Sequence, residues 1–376
     1  MNNGRPRLTR RAALFSGLAA AATAIAGEDV HGADFGRAES LGGLAAEKGL
    51  LFGASFAVHE AEKPDGARYS GLYAREVRSI TSELELKLSS LRPTAAEISF
   101  EPADRLFDFA ARTGLAVRGH TLVWNDDVPA WIRSLSPKEA GYLMDAHIET
   151  VLTRYRGRAI AWDVVNEPIA PWDHRPDHLR AGPFLAAYGE DYIARSFLRA
   201  RRADPGAKLV LNEAFTETAD ERGDIFRRSL LALLRRLKDK ATPIDAVGLQ
   251  CHLSSRKAYD FPRFAAFVAE VAELGVDIHL TELDVDDSIL PPAIPARDAA
   301  VAAIYRDFLG AVLPVTAIKS LTLWQLADHT SWLHYADAAK QSAGSATPRP
   351  LPFDAGFARK PAWTAIAAAL KAMPPR

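Results

Sequence analysis

The chain has 376 residues, 48% of them hydrophobic and 25% charged, which excludes a disordered, collagen-like or coiled-coil protein. Lys and Arg number 46 and Asp and Glu 47, a net charge of −1, so no global field exists to attract nucleic acid or bulk cations. A single cysteine, Cys251, excludes an intrachain disulfide, a CxxC redox pair and a thiolate zinc cluster.

The chain opens on Arg5, Arg7, Arg10 and Arg11, followed by an apolar run from Ala12 to Ala26. That is a charged region followed by a hydrophobic one, and Ala24-Ile25-Ala26 fits a small-x-small cleavage site. The run is too short for a spanning helix of about twenty residues. Residues 1–26 are therefore predicted to be an export signal. Thr9-Arg10-Arg11-Ala12-Ala13-Leu14 resembles the twin-arginine signal of bacteria. An exported protein, periplasmic or secreted, with no membrane anchor is expected, and Cys251 should be buried.

From residue 41 to 372 no Pro/Gly/Ser-rich linker breaks the chain, which reads as one domain. Short apolar runs alternate with longer helical patterns. Leu51–Phe56 reads as a strand, and a weaker one lies near Arg78–Thr81. A helix over 103–112, with Gly114 as its cap, leads to a strand at Ala116–His120. A helix over 137–155 leads to Ile160–Val165, and one over 184–202 to Lys208–Asn212. A helix over 219–238 precedes Ala246–Gln250, one over 262–274 precedes Asp277–Glu282, and one over 298–309 precedes Ser320–Trp324. Strands apolar on both faces and alternating with helices indicate a buried parallel sheet. Eight such units predict an α/β fold, a single (β/α)8 TIM barrel. A doubly wound open sheet is the alternative, weakened because no GxGxxG or Walker sequence follows any strand.

In such a barrel the chemistry sits at the C-terminal strand ends. Here these ends read Glu83-Leu84-Glu85-Leu86-Lys87, His120-Thr121-Leu122-Val123-Trp124, Asn166-Glu167-Pro168, Asn212-Glu213, Gln250-Cys251-His252, Glu282-Leu283-Asp284, and Trp324 with Trp332. Any one alone is an ordinary surface group; their gathering at one mouth is not. Glu167 and Glu282 each end an apolar strand, where a carboxylate is costly without partners or a task. Two carboxylates flanking a bond are the machinery of glycoside hydrolysis. Tryptophans offer flat faces to sugar rings, and amides and His120 offer hydrogen bonds to hydroxyls.

Trp162-Asp163-Val164-Val165-Asn166-Glu167-Pro168 and Leu280-Thr281-Glu282-Leu283-Asp284 resemble glycoside hydrolase family 10, the endo-β-1,4-xylanases. So do Arg118–Trp124 with Pro129-Ala130-Trp131, Gly248–Leu253, and Trp324 with Ser331-Trp332. The resemblance runs in order from about residue 41 to 370. It implies a retaining hydrolase of xylan with no cofactor and no metal, in which Glu167 is the acid/base and Glu282 the nucleophile. It assigns His252, Asp284 and Gln250 to support of the nucleophile. It assigns Glu83, Lys87, His120, Trp124, Asn166, Trp324 and Trp332 to the substrate. A monomer is expected. Trp131, Trp162 and Trp172 read as packing residues, and Asp286 and Asp287 as a solvated loop.

The chain departs from the family pattern at Leu84 (usually Asn), Asn125 (usually His), Ala214 (usually Tyr) and Gln325 (often Gly). These departures bear on substrate length and affinity: Leu84 should weaken the second glycone subsite and Gln325 should narrow the cleft. The alternatives are another β-1,4-glycanase of the same barrel type, a glucanase, or a glycan-binding barrel without catalysis.

Overall fold

The computed structural model describes residues 39–336 and 347–376; the expected export signal lies outside them. Its strands are β1 (Leu51–Phe56), β2 (Ser79–Ser82), β3 (Ala116–Gly119), β4 (Ala161–Asn166), β5 (Lys208–Glu213), β6 (Ala246–Leu249), β7 (His252–Ser254), β8 (Asp277–Asp286) and β9 (Ile318–Leu323). All pairings between them are parallel. β1 meets β9 and β6 meets β8, so the sheet closes into an eight-strand barrel. This is the (β/α)8 architecture, and closure removes the open-sheet alternative. β7, not expected from the sequence, continues the line of β6 and places His252–Ser254 beside Asp284–Asp286 of the long β8.

Helices fill the crossovers. Glu101–Thr113 ends at Gly114 with φ +69°, a left-handed position that glycine adopts without a Cβ clash. Pro137–Arg154 starts on a capping box: Glu139 N–H donates to Ser136 Oγ (3.3 Å) and Ser136 N–H to Glu139 Oε2 (2.9 Å). The segment expected as one helix over 184–202 is two, Pro183–Tyr188 and Asp191–Ala203. Gly189 lies between them at φ +60°, a turn the helical periodicity does not reveal.

Alternation along the strands sorts side chains into two populations. Trp162, Val164, Leu209, Leu211, Val247 and Leu249 join the large apolar core between sheet and helices. Burial at roughly 1.5–3 kcal/mol per large side chain makes that layer the main source of cohesion. Ala161, Val210 and Ala246 form a small separate cluster. Toward the C-terminal end of the same strand faces come Asp163, Asn212 and Gly248. Those positions carry polar or minimal side chains, and they lead to the barrel mouth. The packing beneath is tight: a Cβ on Gly119 would stand 2.1 Å from the Trp162 ring. Cys251 is fully buried.

Candidate active site

Glu282 lies within β8 and is buried. Its Oε1 accepts from Asn212 Nδ2 (2.7 Å) and its Oε2 faces His252 Nε2 (3.2 Å). The His252 ring is fixed from behind: Nδ1 donates to Asp284 Oδ1 (2.9 Å), and Trp332 Nε1 donates to Asp284 Oδ2 (2.5 Å). Burial disfavours a charged His252, but the Asp284 charge and the bonds to Asp284 and Glu282 outweigh it and raise the imidazole well above its usual value. Burial likewise pushes Glu282 up. The His252 hydrogen bond, the charges of His120 and His252 and the Asn212 amide overcome that and hold its carboxyl down to about 2. Glu282 is thus an ionised carboxylate aimed by an imidazolium.

Glu167 stands one residue past β4 with φ +48°. Its N–H donates to Asn212 O (2.8 Å), and Arg180 Nε donates to its carbonyl (2.8 Å). The carboxylate accepts from three donors: Arg180 Nη2 at 3.0 Å and Trp124 Nε1 at 3.2 Å on Oε2, and Gln250 Nε2 at 2.9 Å on Oε1. Gln250 was expected beside Glu282. Its side chain is on Glu167 instead, and only its backbone carbonyl meets Glu282, accepting from Glu282 N (3.0 Å). The reason is register: Gln250 follows β6 directly and its amide reaches the β4 end.

A relay of amides joins the two carboxylates. Gln250 Nε2 reaches from Glu167 Oε1 to Asn166 Oδ1 (3.5 Å). Asn212 Nδ2 bonds both Asn166 Oδ1 (2.9 Å) and Glu282 Oε1. Thr281 Oγ1 fixes Asn212 Oδ1 (2.7 Å). Gly248 makes room for this group, because a Cβ there would lie 2.2 Å from Asn212 Oδ1. Asn166 Oδ1 is consumed in the relay, and no group among the described residues accepts from the Asn166 NH2.

Around this pair stand the residues expected to meet the substrate. His120 Nδ1 is bonded to Asp163 Oδ2 (2.8 Å), and Asp163 is also paired with buried Arg118, so His120 Nε2 is the nitrogen left for a ligand. Lys87 Nζ lies 5.4 Å from the centre of the Trp124 ring. Trp124, which could equally have been a core residue, is partly exposed, with its indole N–H on Glu167. Trp324 sets its edge against both His120 (5.5 Å) and His252 (6.2 Å), and Trp332 leans on His252 (5.0 Å). Glu83 accepts from Gln325 Nε2 (2.8 Å). Leu84 is 39% exposed beside it.

Two expectations change. Gln325 does not project into the cleft; it is buried and bridges Glu83 to the Trp332 N–H. Trp172 is 44% exposed yet packs against the core ring of Phe226 (5.9 Å) and against Phe215 (6.2 Å), with the Arg222 and Arg180 guanidinium groups also over its ring (5.0 and 5.3 Å). Asp287 is buried and paired with Arg297, accepting also from Arg349 N (2.9 Å), and Asp286, partly exposed, is the last residue of β8, where Ser254 Oγ donates to it (2.8 Å).

The glycosyl hydrolase family 10 model matches residues 40–369. The chain belongs to glycosyl hydrolase family 10. It is 35% identical over 283 residues to endo-1,4-beta-xylanase A of Caldicellulosiruptor sp. (strain Rt8B.4), covering 69% of this chain and 39% of that protein. It is 31% identical over 278 residues to a beta-1,4-xylanase of Dictyoglomus thermophilum, covering 71% and 76%. In three dimensions it resembles the crystal structure of xylanase 10B from Thermotoga petrophila RKU-1 in complex with xylobiose. There the TM-score is 0.79 at 26% identity, over 89% of this chain and 98% of that one.

This family 10 site also contains groups that sequence reasoning left without a role. Asn212 and Glu213 stood at a strand end, which was the available signal. Asn212 touches Glu282 directly. Glu213 is buried, accepts from the N–H groups of Ala214 (2.9 Å) and Ile169 (3.1 Å), and is raised well above the carboxylate range by burial and by nearby Glu167. Arg180, buried and paired with both Glu167 and Asp126 (3.2 Å), comes from a loop that carries no motif. Among the described residues, no helix is long and apolar enough to cross a membrane.

Proposed function

We propose that this family 10 protein is a retaining endo-β-1,4-xylanase that cuts internal bonds of xylan by double displacement. Glu282 attacks the anomeric carbon from one face. Glu167 protonates the departing glycosidic oxygen, and a covalent glycosyl-enzyme forms. Water enters, Glu167 takes its proton, and the oxygen displaces Glu282 to give the sugar with its original configuration. The observation that carries this reading is the amide relay from Glu167 to Glu282, with the imidazolium of His252 behind Glu282 alone. It gives the two carboxylates unequal surroundings, as unequal tasks require. The free amide of Asn166, between them, is placed for the hydroxyl next to the reacting carbon.

Xylan as substrate is supported by family membership and by relatives and structural neighbours named as xylanases. His120, Lys87, Trp124, Trp324 and Trp332 hold the sugars. Residues 1–26 direct the protein across the inner membrane, to the periplasm or beyond; the support is Arg10-Arg11 ahead of the Ala12–Ala26 run.

The test is product release from xylan, arabinoxylan and carboxymethyl-cellulose, with Glu167→Ala beside the unmodified protein. Xylo-oligosaccharides from the first two, lost in the variant, are expected. Activity on carboxymethyl-cellulose alone would replace xylan by glucan, and silence on all three would overturn the reading.

A further inference from the structure

The backbone of Gln325 holds φ +75°, in the left-handed region that suits glycine and is costly for other side chains. A non-glycine residue persists there when its surroundings fix it. What fixes Gln325 is visible. Its Nε2 donates to Glu83 Oε1 (2.8 Å), from just past β9 to the residue after β2, and its Oε1 accepts from Trp332 N (2.9 Å). Both ends of the amide are used, and the side chain is buried.

The consequence falls on Glu83. One carboxyl oxygen is taken by Gln325. The other is buried without any hydrogen-bond partner. Oε2 is closed off from the cleft and Oε1 already carries the Gln325 amide, although Lys87 and Trp332 stand at the same wall. Burial, against the pull of the Lys87 charge, pushes the Glu83 carboxyl up to about 8, in keeping with a group turned away from water. Leu84, beside it, presents only an apolar surface.

Resting on the xylanase reading above, we propose that Gln325 is a positioning residue that withholds Glu83 from the second glycone sugar, so that the enzyme gains little from a chain longer than one residue on that side. Gln325 acts through Glu83 and touches no substrate itself. Replacing it by glycine removes the bridge and suits the backbone at the same time, so folding is not threatened. Gln325→Asn keeps a side chain that tolerates positive φ but is one carbon too short to span the gap.

The test uses 4-nitrophenyl β-xyloside, which fills one glycone subsite, and 4-nitrophenyl β-xylobioside, which fills two. The readout is the ratio of kcat/KM for the second over the first. Gln325→Gly and Gln325→Asn should each raise this ratio about tenfold, equivalent to about 1.4 kcal/mol, mainly through KM of the xylobioside. The double variant Gln325→Gly/Glu83→Gln should lose that gain. A role confined to stability would depress both substrates together and leave the ratio in place. An unmoved or lowered ratio overturns the proposal, as does a gain that survives in the double variant. If the unmodified protein cleaves neither substrate, the xylanase reading itself falls.

Discussion

Glu282 and Glu167 are joined by one relay of amides, yet they are held in different ways. Glu282 sits inside the longest strand, and its partners Asn212, His252 and Asp284 lie in or at the ends of strands β5, β7 and β8. Glu167 stands just beyond its strand at φ +48°, gripped by a loop arginine, an indole and an amide. A nucleophile has one state to keep, ionised and aimed, and the rigid sheet with an imidazolium behind it keeps that state. An acid/base changes its proton twice in a cycle, and the groups around Glu167 are neutral donors plus one cation it shares with Asp126. On the roles proposed here, the sheet fixes the group that must not change, and the loop holds the one that must.

The comparison breaks most visibly when either carboxylate is removed. Glu282→Ala should abolish turnover on every xylosidic substrate, because no covalent intermediate can form. Glu167→Ala should cost about 10²–10⁴ on xylan, the usual range for a lost general acid. It should cost far less in the first step on a dinitrophenyl xylobioside, whose leaving group needs no proton. Burst kinetics on the activated substrate would show this, and equal losses on both substrates would remove Glu167 from the acid role.

His252 sharpens the Glu282 side. Without its imidazolium, burial is opposed only by Asn212 and His120, and the Glu282 carboxyl rises from about 2. A carboxylate with a higher pKa takes up its proton at higher pH. The acid limb of kcat/KM in His252→Asn should therefore move upward by about one unit or more, with the alkaline limb in place. An acid limb that stays where it is would mean that His252 only packs.

Arg180 sharpens the other side. Arg180→Ala removes charge-assisted bonds to both the carboxylate and the backbone of Glu167, each worth about 1.5–3 kcal/mol. A loss of roughly ten- to a hundredfold in kcat is expected, about one such bond's worth felt in the transition state, greatest for substrates with poor leaving groups. The smallest effect belongs to Trp124→Phe, which keeps the ring and deletes one N–H to Glu167. Two- to tenfold in kcat corresponds to a bond of about 0.5–1.5 kcal/mol. Both variants are checked by steady-state kinetics on xylan and on the dinitrophenyl xylobioside.

The same division governs how much of the site the amino-acid sequence reveals. The barrel was legible because strand and helix periodicities alternate regularly and because Trp162 and its outward neighbours must be buried. The Glu282 side was largely legible, since strand-end residues are forced to one mouth by the fold. On the Glu167 side only Glu167 itself and Trp124 were. Arg180 reaches it from an irregular loop whose path no periodicity predicts. Gln250 crosses to β4 through a side-chain torsion that spacing cannot express. Gln325 was read as an obstruction because its sequence neighbours line the cleft. Its positive φ turns the side chain under the wall instead. Asp287, taken as solvated, is held by Arg297 and Arg349 from distant segments.

Azide separates the two roles without reference to rate. In Glu282→Ala the small anion can occupy the vacated face and displace the leaving group of dinitrophenyl β-xylobioside in one step, giving the α-azide. In Glu167→Ala it replaces water in the second step, after Glu282 has formed the intermediate, and two displacements give the β-azide. The anomeric proton coupling of each product distinguishes them. The α-azide from Glu282→Ala and the β-azide from Glu167→Ala are predicted. The same anomer from both variants, or the two exchanged, would contradict the assignment of Glu282 as nucleophile and Glu167 as acid/base.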